Sequence, residues 1–210
     1  MYSRMRSVPL LLGLTGNIAC GKSTVGQILA ERYGAEYIDA DRLVHALYAA
    51  GTAETQAIAS RFGPALLRED GTIDRRRLGD IVMSNGSALR ELEQILDPGV
   101  QRAIASRLAA SSTSVVVLDA IRLIESGLAA RCDAVWVVVC EPSLQLARLL
   151  ASRNLTPEQA AQRIAAQRPA ADKLAHATAA ITNNGSLDDL QSQIAAAWST
   201  TVAPRLHAQR

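Results

Sequence analysis

The segment Gly16-Asn17-Ile18-Ala19-Cys20-Gly21-Lys22-Ser23 fits the phosphate-binding pattern GxxxxGK[ST]. Its glycines let the backbone curl so that several N–H groups point at one phosphate, and a following helix adds its positive N-terminal dipole. Lys22 would neutralise β- and γ-phosphate oxygens during transfer, and the Ser23 hydroxyl would coordinate Mg²⁺. Gly16, Asn17, Ile18, Ala19, Cys20, Gly21, Lys22, Ser23 and Thr24 are therefore candidate nucleotide-binding residues. Cys20 stands where the pattern leaves the residue free, and it reads as a tolerated small side chain rather than a nucleophile.

Two acids, Asp39 and Asp41, follow a short apolar run, and Asp119 ends another. In a parallel sheet the carboxyl ends of neighbouring strands gather the ligands. Asp41 is expected to act on a substrate hydroxyl. Asp39 either supports Mg²⁺ through water or caps the next helix. Asp119 is either a second acid of that kind or a former of the turn at a strand end. Arg75, Arg76 and Arg77 cluster in one segment, and Arg148 and Arg153 lie further on. Guanidinium groups suit the closing of a cationic flap over phosphates. His45, His176 and His207 have no metal-ligand spacing.

The elements that must position these groups alternate in type. Val8–Leu14 reads as a buried strand and Ser23–Tyr33 as a helix that Gly34 ends. Glu36–Ile38, Val115–Leu118, Ala134–Val139 and Ala179–Thr182 read as further strands. A helix of about ten residues is expected from Ser143. Leu187, Leu190, Ile194 and Trp198 share one face of a terminal helix. Thr156, Pro157 and Gln159 form the start of a capped helix that carries Arg163. Between Asp41 and Ser114 the apolar residues fit several short helices and no strand. The fold class expected is α/β: a three-layer P-loop kinase fold with a mainly parallel five-stranded sheet, a helical insertion and a lid. The core would span 1–50 and 113–210, with the lid at about 153–173 and the insertion at 51–112.

Composition narrows the function classes. The chain has 210 residues, 22 basic against 20 acidic, so its net charge of +2 offers no general pull on nucleic acid or anionic membrane. Aromatic residues at 3 % leave no base-stacking platform. Three cysteines fit neither a disulfide framework nor a zinc site. Arg4 and Arg6 before the run Val8–Leu12 could be drawn as a leader. That run is short and interrupted by Gly13 and Gly16, and Cys20 belongs to the phosphate motif. A cytoplasmic location is expected, with no nucleic-acid or membrane partner, as a monomer or weak homo-oligomer.

Beyond these features the chain resembles the dephospho-CoA kinase family. GLTGNIACGKSTV is similar to that family's opening GLTGGIGSGKS, and YIDADRLVH to its IDAD segment. FGPALLREDGTIDRRRLGDIV, LASRNLTPEQAAQRIAAQ and ITNNGSLDDL resemble three later family stretches in the same order. The resemblance implies transfer of the ATP γ-phosphoryl group to the ribose 3′-hydroxyl of dephospho-CoA, giving CoA and ADP, with Mg²⁺. It implies that Lys22 and Ser23 hold the phosphates and that Asp41 is the catalytic acid. It further implies that Arg153 is the flap arginine, with Arg148 assisting. Arg75 would bind the acceptor, and Asn183 would lie near the adenine.

Three positions depart from the family pattern. Asn17 replaces a glycine, which requires a negative φ or the left-handed conformation that Asn tolerates. Asp97-Pro98 replaces His-Pro. Asp119 to Glu125 keeps the acids of D-x-P-L-L-x-E but loses its proline and gains Arg122, read as a surface salt bridge or an extra phosphate contact. The rival readings are a P-loop kinase for a nucleoside or nucleotide acceptor and a nucleotide-switch NTPase. The absence of an NKxD signature weighs against the second.

Overall fold

Continuous apolar runs fold into strands covered on both faces, as parallel sheets require. The computed structural model describes residues 8–152 and 155–208. Its strands are β1 (Leu10–Gly16), β2 (Glu36–Asp39), β3 (Val115–Asp119), β4 (Ala134–Val139) and β5 (Ala179–Thr182). They form one sheet in the order β2-β3-β1-β4-β5. β1 runs parallel to β3 and to β4, and β4 parallel to β5. Every residue of β1 and β3 is buried. β1 starts two residues later than the apolar run suggests. Val8 is 71 % exposed, and pairing begins where Leu10 N–H donates to Ser114 O.

The chain divides into two compact units, one of residues 1–38 with 111–210, the other of 39–110. In chain order α1 (Lys22–Tyr33) belongs to the first unit, and α2 (Ala40–Leu47), α3 (Ala53–Phe62), α4 (Arg75–Met83) and α5 (Gly86–Ala110) to the second. The first unit resumes with α6 (Pro142–Ser152), α7 (Pro157–Ala165), α8 (Ala170–Leu174), α9 (Leu187–Ala197) and, after a π-helical turn at Trp198–Val202, α10 (Ala203–Ala208).

In the first unit, Leu12, Leu14, Val25, Leu29, Val117 and Trp136 anchor the core. Trp136 is fully buried, and its Nε1–H donates to Thr201 Oγ1 at 2.9 Å, so its one polar atom is satisfied. α7 begins with the expected capping box, Thr156 with Gln159, and with Pro157 at its first position.

The second unit has its own core, centred on Ile58, Ile73, Leu78, Leu92 and Leu96. Within it α2 follows Asp39 directly, so the boundary of this unit precedes residue 51. The apolar positions from Leu89 to Leu108 lie on one 25-residue helix, α5, rather than on several short ones. Pro98 inside it removes one helical hydrogen bond. Burial of Leu92, Leu96, Val100 and Ile104 along one face offsets that loss.

Candidate active site

β1 ends at Gly16, and the chain then curls through Asn17–Gly21 before α1 begins. Only glycine fits at two positions. A Cβ on Gly16, at φ +147°, would lie 2.1 Å from the Val138 carbonyl oxygen, and one on Gly21, at φ +93°, would lie 2.2 Å from Asn183 Nδ2. Among the described residues Ala19 is the one non-glycine with positive φ, at 59°. Asn17 therefore needs no left-handed conformation, and the unusual backbone sits two residues later. No side chain caps α1. Its first-turn N–H groups face the loop with the helix dipole behind them, which suits an anion. Lys22 is buried, and its Nζ donates to Asn17 O at 3.4 Å. Ser23 and Thr24 are exposed.

Side chains distant in sequence brace the loop. Gln145 on α6 donates from Nε2 to Ile18 O at 2.7 Å, and Ile18 N–H donates to Gln167 Oε1 at 2.8 Å. Asn17 Nδ2 reaches Arg168 O at 3.2 Å. Asn183, just beyond β5, is buried and donates from Nδ2 to Cys20 O at 2.9 Å. Arg148 donates from Nη2 to Asn183 O at 3.0 Å, while its Nη1 is buried with no hydrogen-bond partner. The structure thus brings together Lys22, Cys20, Arg148 and Asn183 at one loop.

The acids separate into distinct roles. Asp119 at the end of β3 is buried and accepts a 2.6 Å hydrogen bond from the Tyr37 hydroxyl. Glu125 is paired with Lys173, whose Nζ lies 2.8 Å from Glu125 Oε1 and 2.6 Å from Ile121 O. Burial pushes the Glu125 carboxyl up, but the Lys173 hydrogen bond, a backbone bond and the Lys173 charge outweigh it and hold the group below its ordinary range. Arg122 is exposed, and its charge adds to this depression.

In the second unit Asp39 caps α2, accepting from the N–H groups of Asp41 and Arg42 at 2.9 and 3.4 Å. Its Oδ1 is therefore committed to the helix start, the second of the two roles read from sequence. Asp41 is exposed in the first turn. It lines a cavity of about 210 Å³ together with His45, Tyr48, Arg75 and Leu78. Burial raises the Tyr48 hydroxyl above its ordinary range, and the Arg75 charge opposes that rise. Asp97 accepts from Gln101 Nε2 at 2.6 Å on its own helix. Arg153 lies outside the described residues.

Sequence reasoning missed Tyr37, Gln145, Gln167 and Lys173. Gln167 ends the stretch that carries the RIxxQ resemblance, and this is the one local signal among the four. Among the described residues no group of three His, Cys, Asp or Glu could hold a metal ion. Hydroxyl and carboxylate oxygens at Ser23 and Asp119 are the hard donors that suit Mg²⁺ carried mainly by phosphate oxygens. Among the described residues no helix is long and apolar enough to cross a membrane.

A family model described as dephospho-CoA kinase matches residues 10–189. A dephospho-CoA kinase of Symbiobacterium thermophilum is 44 % identical over 90 % of this chain and 80 % of its own. That of Geobacter metallireducens is 42 % identical over 92 % of this chain and 97 % of its own. The solved structure of dephospho-CoA kinase from Campylobacter jejuni superposes with a TM-score of 0.64 at 29 % identity, covering 90 % of this chain and 95 % of that one. A shikimate kinase from Bacteroides thetaiotaomicron, at 16 % identity and a TM-score of 0.54, shares the fold alone. The chain belongs to the dephospho-CoA kinase family.

Proposed function

We propose that the chain transfers the γ-phosphoryl group of ATP to the ribose 3′-hydroxyl of dephospho-CoA, releasing CoA and ADP. The observation that carries this reading is the braced loop of the first unit. It combines an uncapped helix start, a buried lysine and an Arg148 whose buried Nη1 has no oxygen acceptor in the protein. A polyanionic nucleotide supplies the acceptors these groups need. Membership of the family selects dephospho-CoA among acceptors.

Lys22 and the N–H groups of the loop hold the phosphates and stabilise charge as it moves to the leaving ADP oxygen. Asp41 accepts the proton of the ribose hydroxyl as that oxygen attacks. Arg75, on the wall that Asp41 also lines, pairs with an acceptor phosphate. Asn183 borders the base side of the nucleotide, and Arg148 assists at the transferred phosphoryl group. Arg153 serves as the cation of the flap, a role carried by the resemblance alone. Ser23 is the residue that would hold Mg²⁺, with Asp119 reaching it through water. Bound there, the ion neutralises phosphate charge. Cytoplasmic location and a monomeric or weakly associated state complete the reading.

A coupled ADP-release assay tests it, run in parallel with dephospho-CoA, adenosine, AMP and no acceptor. Turnover with dephospho-CoA alone is expected. Turnover with adenosine or AMP instead would reassign the acceptor, and equal ADP release without any acceptor would make the chain an NTPase.

A further inference from the structure

Two thiols meet at the nucleotide-binding loop. Cys20 lies within the loop, where the resembling family segment has serine, and Cys140 follows the last residue of β4. Their Sγ atoms are 3.3 Å apart, and Cys140 Sγ is 4.0 Å from Ala19 O. Cys20 is buried at 3 % exposure, whereas Cys140 is partly exposed. β1 and β4 are paired up to Gly16 and Val138, so both cysteines leave the same end of two adjacent strands. The third cysteine, Cys132, precedes β4, and its thiol points to Leu128 O at 3.5 Å.

We propose that Cys20 and Cys140 form a reversible dithiol–disulfide site, oxidised by a low-molecular-weight disulfide, whose closure clamps the phosphate loop and weakens ATP binding. The reaction is two successive exchanges. Cys140, the more exposed thiol, gives up its proton to solvent and attacks one sulfur of RSSR. The RSSR bond breaks, and one RS⁻ leaves and is protonated by water. Cys20 then loses its proton and attacks the Cys140 sulfur of the mixed disulfide, expelling the second RS⁻. Two protein thiols and RSSR become one protein disulfide and two RSH, so the protein is oxidised by two electrons and the small disulfide is reduced.

A disulfide requires the sulfurs at about 2.05 Å, so closure draws the loop toward the end of β4 by roughly the difference. That pull falls on the residue whose carbonyl holds Asn183 Nδ2 and on its neighbour Ala19, already at φ 59°. The loop then loses the freedom to wrap a phosphate. Burial pushes the Cys140 thiol up to about 12, the Cys20 thiol adds to that rise, and the Arg148 guanidinium opposes it. The thiolate is the nucleophile, so exchange is slow at neutral pH and quickens as pH rises.

The test uses the whole reduced protein incubated with oxidised glutathione, quenched with acid and read by intact-mass spectrometry and non-reducing peptide mapping. Loss of two hydrogens, with a cross-linked peptide pair holding Cys20 and Cys140, is expected, and dithiothreitol reverses it. Cys140→Ser should form no such cross-link, and Cys132→Ser should form it as the parent does. Calorimetric ATP affinity of the oxidised parent should fall at least fivefold and recover with dithiothreitol. A protein that stops at glutathione adducts, or whose cross-link joins Cys132, overturns the proposal. So does an oxidised protein with unchanged ATP affinity. The mass readout needs no catalysis, so it stands whichever acceptor the enzyme uses.

Discussion

Replacing Gly26 by alanine should destabilise the protein, although glycine within a helix ordinarily weakens it by about 1 kcal/mol relative to alanine. Gly26 is buried in α1 beneath the Tyr37 ring. A Cβ there would lie 2.1 Å from Cε2 and 2.5 Å from Cδ2 of that ring. Carbon atoms rest at about 3.5–4.0 Å, so the ring must retreat by more than 1 Å. Overpacking of that kind costs about 1–3 kcal/mol. The retreat also breaks the 2.6 Å hydrogen bond from the Tyr37 hydroxyl to Asp119. A hydrogen bond to a charged group is worth about 1.5–3 kcal/mol. After subtracting the helix gain, Gly26→Ala should cost about 2–4 kcal/mol and lower Tm by about 5–10 °C. Circular dichroism in urea and on heating measures both. The sign should reverse in a Tyr37→Ala background, where the added methyl meets no ring and stabilises by about 1 kcal/mol. A Gly26→Ala protein as stable as the parent, or an equal penalty in both backgrounds, would refute the packing argument.

Lys22→Ala should abolish phosphoryl transfer while leaving the circular dichroism spectrum unchanged; near-normal turnover would remove the loop from the mechanism. Asp41→Asn should lower kcat by at least a hundredfold with KM for the acceptor little altered, and a change confined to KM would move the proton acceptor elsewhere. Lys173→Met strands a carboxylate in a largely buried place and should cost about 3 kcal/mol at pH 7. In the parent, Glu125 is held below its ordinary value of 4.5, so its contribution is complete above that value and fades as pH falls through it. The variant's deficit in urea melts should therefore hold above pH 4.5 and shrink as pH falls below it, and a deficit that stays constant would show that charge is not its origin. Ala19→Gly should raise stability by up to about 1 kcal/mol, since a left-handed alanine costs about that much; a loss in urea melts would contradict the strain assigned to Ala19.

Much of the sheet was legible because β3 and β4 are nearly unbroken apolar runs rich in β-branched residues. Apolarity alone sets neither burial nor pairing, which is why Val8 looked like part of β1 and is exposed. Several short helices were expected where α5 runs unbroken, because one buried face carries that helix through Pro98. At the site, local spacing revealed the phosphate loop and its neighbours. Asp39 as a cap and Asp39 as a ligand look the same in one dimension. The pairs Tyr37 with Asp119, Lys173 with Glu125 and Gln167 with Ile18 join residues 82, 48 and 149 positions apart. Only the closed fold sets such pairings, so no local spacing could announce them.

The strand order also dictates a timetable for the growing chain. β1 sits between β3 and β4, with Leu10 opposite Val115 and Leu12 opposite Ala134. At a synthesis rate of about 5–20 residues per second, the first strand waits about 5–20 s for either neighbour. The helical unit of residues 39–110, with its own core and local contacts, finishes during that interval. Leu10 to Leu14 meanwhile remains an unpaired apolar strand near the ribosome. Shielding by a chaperone matters most for this first segment, and the phosphate loop is braced in full only when the chain has grown past Asn183.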